Sequence, residues 1–425
     1  RPTLRRWLRS QGYFHNGNSE WTFALSDQSD PAVMSEFFES QFLRYERAET
    51  YLQWHESDGV GFTQATAEVR LDSFRSEVEE LPRVSTYRGR APLASFGRFS
   101  LLHTGDLEAA WLRRREGEEP RSPFALPTVF PDGLGEREVL RIDTEQRLEL
   151  PIPLGAGVKL TPFVSARGTS WDEGEDPDDS PTRTLAEAGA SLGATFWKPS
   201  AHGKLHQLAP FVEYTNELHR DDSGGIPVVF DPIDRALSGD FLRLGLRQRY
   251  AADAEGSLLD VDLVGTHASS RSDGRPDGWM PLEVFARYVL EPFGHEIEVF
   301  HDGRYDVQNS RTAYSLVSFG THFGAEWGLQ FSHQRGLDEN LKPLFEVASV
   351  TGLYRWTEKW EFEGRQSFSL LENQGLDTRF VIRRYGHDLV FELESSVREG
   401  EGSSIGINVK PRFGYSPSRV GYVPW

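Results

Sequence analysis

Three short stretches hold residue types able to do chemistry. The segment "GASLG" (189–193) has the G-x-S-x-G spacing of a hydrolase elbow. There, a strand, a sharp turn and a helix expose the serine as a nucleophile. The surrounding residues follow another period: Ala186, Ala188, Ala190, Leu192, Ala194 and Phe196 alternate with Glu187, Gly189, Ser191, Gly193 and Thr195. Ser191 is therefore expected inside a continuous strand, with no turn to present it. His295 and His301 in "HEIEVFH" share one strand parity, but at about 3.3 Å per residue they stand roughly 20 Å apart, beyond the reach of one metal ion. Asp172, Glu173, Glu175, Asp176, Asp178 and Asp179 offer oxygens suited to a hard cation. They lack the glycine and terminal glutamate of an EF-hand loop and read as a solvated excursion. "GAG" (155–157) is a turn without a nucleotide fingerprint around it. No catalytic, metal or cofactor site is expected.

Another constellation recurs along the chain. In "LRLGLRQRY" (242–250), Leu242, Leu244 and Leu246 take one parity and Arg243, Arg247 and Arg249 the other, which places them on opposite faces of a strand. After the polar "AADAEGS", Leu259, Val261 and Leu263 alternate with Asp260 and Asp262. A hairpin would set these acids opposite the arginines on one face. In "RFVIRRYGHDLVFELESSV" (379–397), Arg379, Arg383, Glu392 and Glu394 oppose Phe380, Ile382, Leu389, Phe391 and Leu393. Trp360, Phe362, Phe368 and Leu370 keep the same grammar, as do Val317, Phe319, Phe323, Trp327, Leu329 and Phe331. So do Ile405, Ile407 and Val409 near the end. A charged strand face of this kind can line a hydrophilic path for ions or for the head of an amphiphile. It can equally pair across strands and solvate a wall.

These residues need strands to position them, and composition narrows the kind. The formal charge of -19 argues against a phosphate-tracking, nucleic-acid-binding surface. With no cysteine there is no disulfide framework, thiol nucleophile or Cys-based zinc site. The longest uninterrupted apolar run is Ala109 to Leu112, against the roughly 20 residues of a membrane-spanning helix. Helical spacing is clear only in "DPAVMSEFFESQFLRY" (30–45), where Val33, Phe37 and Phe38 fit a short helix capped near Asp30.

Long polar excursions such as "TSWDEGEDPDDSPTRT" (169–184) and "HASSRSDGRPDG" (267–278) alternate, though not strictly, with short connectors such as "TEK" (357–359) and "GHD" (386–388). Tyr354, Trp356 and Trp360 flank one short turn, as in an interfacial aromatic girdle. The expectation is all-β: residues 1–425 as one large antiparallel transmembrane barrel domain of about 16–20 strands, apolar outside and charged inside. Its place would be the outer membrane, among membrane lipids. A soluble sandwich alternates too, and periodicity alone does not say which face is outside.

Several stretches, in order, resemble the carboxy-terminal barrel of the LptD family, the lipopolysaccharide-assembly or organic-solvent-tolerance proteins of the outer membrane. They are "AETYLQW" (48–54), "VEELPRVSTY" (78–87), "LRIDTEQRLELPIPLGAGVKLTPFVSARGT" (140–169) and "LHQLAPFVEY" (205–214). They continue with "FLRLGLRQRY" (241–250), "GRYD" (303–306), "FVIRRYGHDLVFEL" (380–393) and "INVKPRF" (407–413). The resemblance implies a non-enzymatic translocon component that inserts lipopolysaccharide into the outer leaflet. It implies an LptE-like lipoprotein plug and a periplasmic Lpt bridge reached through a jelly-roll domain. Exit would pass through a lateral opening between first and last strands. No jelly-roll region is present in this sequence, and the chain is short for the whole family barrel, so the first strands and any signal peptide are expected upstream. The cysteines that pair in some members are absent.

By position, Ile405, Ile407 and Val409, followed by Pro411, would form the strand beside that opening, and the lumen would be lined by Arg243, Arg247, Arg249, Asp260, Asp262, Arg379, Arg383, Glu392 and Glu394. The alternatives are a passive porin-like channel, for which the same alternation serves, an outer-membrane hydrolase using Ser191, and a soluble all-β binding protein. A proline in the edge strand removes a ladder donor. Pro411→Ala is therefore expected to alter lipid release, and release at the wild-type rate would remove the strand's assigned role.

Overall fold

Alternation this persistent leaves the backbone one way to satisfy its hydrogen bonds, by pairing with neighbouring strands. The computed structural model describes residues 7–28, 49–72, 77–115, 136–174, 178–199, 205–224, 230, 232–235, 238–251, 257–271, 277–290, 296–324, 326–337, 342–398 and 402–411. The expected helix at 30–45 lies outside them.

The described chain is a single sheet. Its first strands are β1 (Trp7–Asn16), β2 (Ser19–Gln28), β3 (Tyr51–Ser57), β4 (Gly61–Glu68), β5 (Glu77–Phe96) and β6 (Phe99–Arg115). Then come β7 (Arg137–Glu149), β8 (Ile152–Gly155), β9 (Val158–Trp171), β10 (Thr182–Ala194), β11 (Phe196–Pro199) and β12 (Leu205–Ser223). A 3-10 turn at Pro232–Arg235 precedes β13 (Asp240–Ala251), β14 (Ser257–Ser269), β15 (Gly278–Trp279), β16 (Leu282–Leu290), β17 (Glu296–Asp306) and β18 (Arg311–Phe323). The sheet ends with β19 (Trp327–Leu337), β20 (Pro343–Thr357), β21 (Trp360–Ser369), β22 (Gln374–Tyr385), β23 (Leu389–Arg398) and β24 (Gly402–Pro411).

Every ladder is antiparallel and joins chain neighbours. β8, β11 and β15 share ladders with β7, β10 and β16, so each continues that strand across a break. The 24 elements therefore make 21 staves, above the expected 16–20 because so many connectors are shorter than allowed for. An odd number has a geometric consequence: β1 and β24 run in the same direction. Among the described residues, β1 pairs only with β2 and β24 only with β23.

The two rims differ. Connectors on one rim hold two to five residues throughout. On the other they hold eight to 22 as far as the link from β14 to β15, and three to five from β17 onward. The loops are thus confined to one arc. Asp58 shows how a tight turn is made: its carboxylate accepts the N–H groups of Val60 at 2.9 Å and Gly61 at 2.7 Å, and these bonds hold its carboxyl below the ordinary value.

Burial decides which face is which. In β22, Asp377, Arg379, Val381, Arg383 and Tyr385 are buried, whereas Phe380 is 48% exposed. In β23, Glu392 and Glu394 are buried while Leu389, Phe391 and Leu393 are exposed. The same inversion holds from Trp21, Phe23 and Leu52 to Val317, Phe319, Leu329 and Phe331, all exposed. Charged side chains are thus crowded to burial on one face while apolar side chains splay into exposure on the other, the arrangement expected when the polar face is the concave side of a barrel wall. Along the tight rim the apolar face carries aromatic contacts, Trp21 with Trp54 at 6.4 Å and Trp327 stacked on Tyr354 at 4.1 Å.

Glycine permits close packing on the polar face. Phe211 lies directly over Gly245, its ladder partner, where any Cβ would strike the ring. Arg243 in turn caps that ring at 5.8 Å. Gly245→Ala is expected to destabilise the sheet by about 1–3 kcal/mol through overpacking. Adding Phe211→Ala should recover part of the loss, a non-additivity read from the denaturant midpoints of the two single variants and the double.

Candidate functional site: the charged face and its anchored segment

The hairpin β13–β14 sets Arg247 opposite Asp262 and Arg249 opposite Asp260, as the sequence predicts. The guanidinium nitrogens reach the carboxylates at 2.7 and 3.1 Å. These pairs are partly open to solvent, and pairs so exposed contribute little energy while keeping the wall hydrophilic. Arg243 meets the Phe211 ring instead of an acid.

The second set is packed far more tightly. Arg383 donates to Glu392 at 2.8 Å, Glu361 at 2.9 Å and Glu363 at 2.7 Å. Arg379 donates from Nη2 to Glu394 at 3.0 Å, and its Nε stands 2.6 Å from the other carboxylate oxygen as an ion pair. Arg355 adds a second cation to Glu361 at 3.2 Å. Glu361 and Glu363 belong to β21, so one guanidinium ties β21, β22 and β23 together. The structure does not bring the two predicted sets into one cluster: β15 to β21 stand between them.

The most enclosed part of the charged face is elsewhere, where a segment of the β12–β13 connector folds down upon it. Asp234, in the 3-10 turn, accepts Arg141 Nη1 at 3.0 Å, Trp171 Nε1 at 3.1 Å and the Phe230 N–H at 2.8 Å. Arg183 donates to the carbonyls of Ile233 and Asp234, each at 3.0 Å, and to Asp222 at 2.9 Å. Arg141 also reaches Glu108 at 2.7 Å, and Glu108 is shared with Arg83. Arg141, Arg183, Trp171 and Asp234 are all buried. Beside them Phe230 completes a small apolar cluster with Ala110, Leu112, Val139 and Trp171. Close by, Asp143 accepts both Arg167 Nε and Nη2 at 2.9 Å and the Thr169 hydroxyl at 2.6 Å.

Sequence periodicity places Arg141 and Asp143 on a strand but not Asp234, because a connector residue has no period to betray its partners. The sole local sign is "FDPID", where Asp231-Pro232 favours a turn.

The remaining motifs resolve plainly. Ser191 lies within β10, paired to Thr161 on one side and Glu213 on the other, so no elbow presents it. The first glycine of "GASLG" exists for packing, since the Phe163 ring occupies the place of a Cβ on Gly189. His301 stands on the apolar face with Ser315 at 3.4 Å, and His295 lies outside the described residues. In the acidic loop, Asp172 accepts the Leu140 N–H at 2.7 Å and acts as a backbone cap; 175–177 lie outside the described residues. Among the described residues no group of three His, Asp or Glu is arranged to hold a metal.

Ile405, Ile407 and Val409 are exposed at 78, 76 and 54%, and Pro411 stands opposite Leu389. No family model and no curated protein matches this chain.

Removing one partner of a buried ion pair leaves an uncompensated charge and costs about 3–5 kcal/mol. Asp234→Ala is expected to lose stability on that order. Ser238, fully buried in the same segment, supplies a local readout in a chain without cysteine. With Ser238→Cys as background, maleimide labelling should be slow, and it should accelerate when Asp234→Ala is added.

Proposed function

We propose that this chain is the barrel wall of an outer-membrane translocon that inserts lipopolysaccharide into the outer leaflet. The observation that carries the membrane part of this reading is the inverted sheet. Exposed apolar and aromatic side chains cover one face, and paired arginines and carboxylates fill the other. In water such an outer face would be an aggregation surface. Against hydrocarbon it is the stable arrangement, provided every backbone group finds a ladder partner. Most strands hold 10–15 residues, long enough for the roughly 9–11 that a tilted spanning strand requires. No helix of the described residues could cross a membrane, a fact that does not bear on strands.

The lipopolysaccharide part rests on the ordered resemblance of the stretches from "AETYLQW" to "INVKPRF". Two structural features support it. The wall is polar enough to carry a phosphorylated, sugar-bearing head while acyl chains travel outside. The exposed edge strand β24, with Ile405, Ile407 and Val409, has hydrogen-bonding capacity to spare beside β23, as a lateral opening requires. An LptE-like plug and a periplasmic bridge, met through a jelly-roll domain, are the partners this reading names. A passive porin-like channel would share the inverted sheet but have no need of an edge that opens.

Two experiments separate the levels. The protein should require detergent and show heat-modifiable gel mobility; a monodisperse chain in plain buffer would end the barrel reading. Depleting the protein in its host should lower lipopolysaccharide at the cell surface and cause it to accumulate inside. Unchanged surface lipid would leave the porin-like channel as the better account.

A further inference from the structure

The apolar face is not evenly filled. Gly265 stands on it, paired with Leu244 of β13, in a row where neighbouring strands project leucines. Trp279 of β15 arches over the bare backbone: a Cβ placed on Gly265 would lie 3.4 Å from Trp279 Cζ3 and 3.6 Å from Leu282 Cδ1. The overhang is fixed by the short ladder from Gly278 and Trp279 to β14 and by the Met280 N–H bonded to the Thr266 carbonyl at 2.8 Å. Beneath it opens a hollow of about 470 Å³ with ten lining residues, among them Leu244, Leu246, Leu263, Trp279 and Leu282 of the apolar face, and floored by the bare backbone at Gly245 and Gly265.

We propose that this hollow binds one acyl chain of a membrane lipid. The inference rests on the barrel reading and goes beyond it, because it assigns a specific lipid site to a face otherwise treated as uniform. The hollow is continuous with the apolar face that meets hydrocarbon, and none of its ten lining residues carries a charge. Its volume lies within the range of sites that hold small ligands. At its end toward the loop-rich rim, Trp279 meets His267 edge-on at 5.4 Å. An indole beside a polar ring marks the level where head groups begin. A chain entering there lies along the strands with its head at that boundary. Its methylenes gain contacts against rigid side chains that a fluid lipid shell does not supply.

The test is native mass spectrometry of the full chain released from detergent micelles after incubation with palmitoyl-oleoyl phosphatidylethanolamine. The wild type should retain one lipid. Gly265→Leu, which fills the hollow, should lower the retained fraction about tenfold, the equivalent of ~1.4 kcal/mol. Trp279→Ala, which removes the overhang without adding bulk, should lower it as well. Gly352→Leu places the same bulk on the apolar face where a Cβ meets open space, and should change nothing. Heat-modifiable mobility confirms that each variant is folded. Equal retention by wild type, Gly265→Leu and Trp279→Ala would overturn the site while leaving the barrel intact, as would equal loss in all three variants. A chain that is soluble without detergent would instead overturn the barrel reading and the site with it.

Discussion

Burying guanidinium groups on one face of a sheet is the constraint on which the rest of this structure depends. An isolated buried charge is prohibitively costly, and the cost is offset only when carboxylates surround it in good geometry. Arg383 meets that requirement with three carboxylates drawn from β21 and β23. Those contacts exist in one register only. A slip of one residue would turn Arg383 to the apolar face and bring Phe380 or Ile382 to the acids. The charge pairs therefore hold the strands in register, a role that a uniformly apolar face, where any register buries similar area, does not fill.

The same logic explains the folded-down segment between β12 and β13. Arg141 and Arg183 are more enclosed than any arginine of the two predicted sets, and the sheet alone offers them Glu108 and Asp222. Asp234 and two backbone carbonyls add the further acceptors. The segment thus supplies acceptors that the wall needs, and the wall supplies donors that a connector needs when it leaves water. Neither part is satisfied without the other. Long loops confined to β2 through β15 and a segment anchored on the polar face beside them make that face unequal from one end of the sheet to the other.

Parity adds a second asymmetry. With 21 staves the terminal strands run in the same direction, whereas every other contact in the sheet is antiparallel. A direct junction of β1 with β24 would be the one parallel ladder, with slanted and somewhat weaker bonds. Strands completing the wall in antiparallel fashion would have to be odd in number. Among the described residues the outer edges of β1 and β24 carry no ladder, and the high exposure of Ile405 and Ile407 is the local expression of that edge.

Most of the strand pattern was legible from the sequence, since period two is a property of the residues themselves: the hairpins at 242–263 and 379–397, their opposed faces, and the failure of "GASLG" as an elbow. The pairing of Arg247 with Asp262 followed from alternation plus a short connector. What the residues alone left open was which face is the outer one, because alternation is symmetrical and only curvature distinguishes inside from outside. The number of staves, the localisation of the loops and the shared direction of β1 and β24 likewise emerge only when strands are laid side by side. Asp234 was beyond reach for the plainest reason. Its partners, Arg141 and Trp171, lie 93 and 63 residues away in the chain, and nothing local to a turn records which strands it will come to rest on.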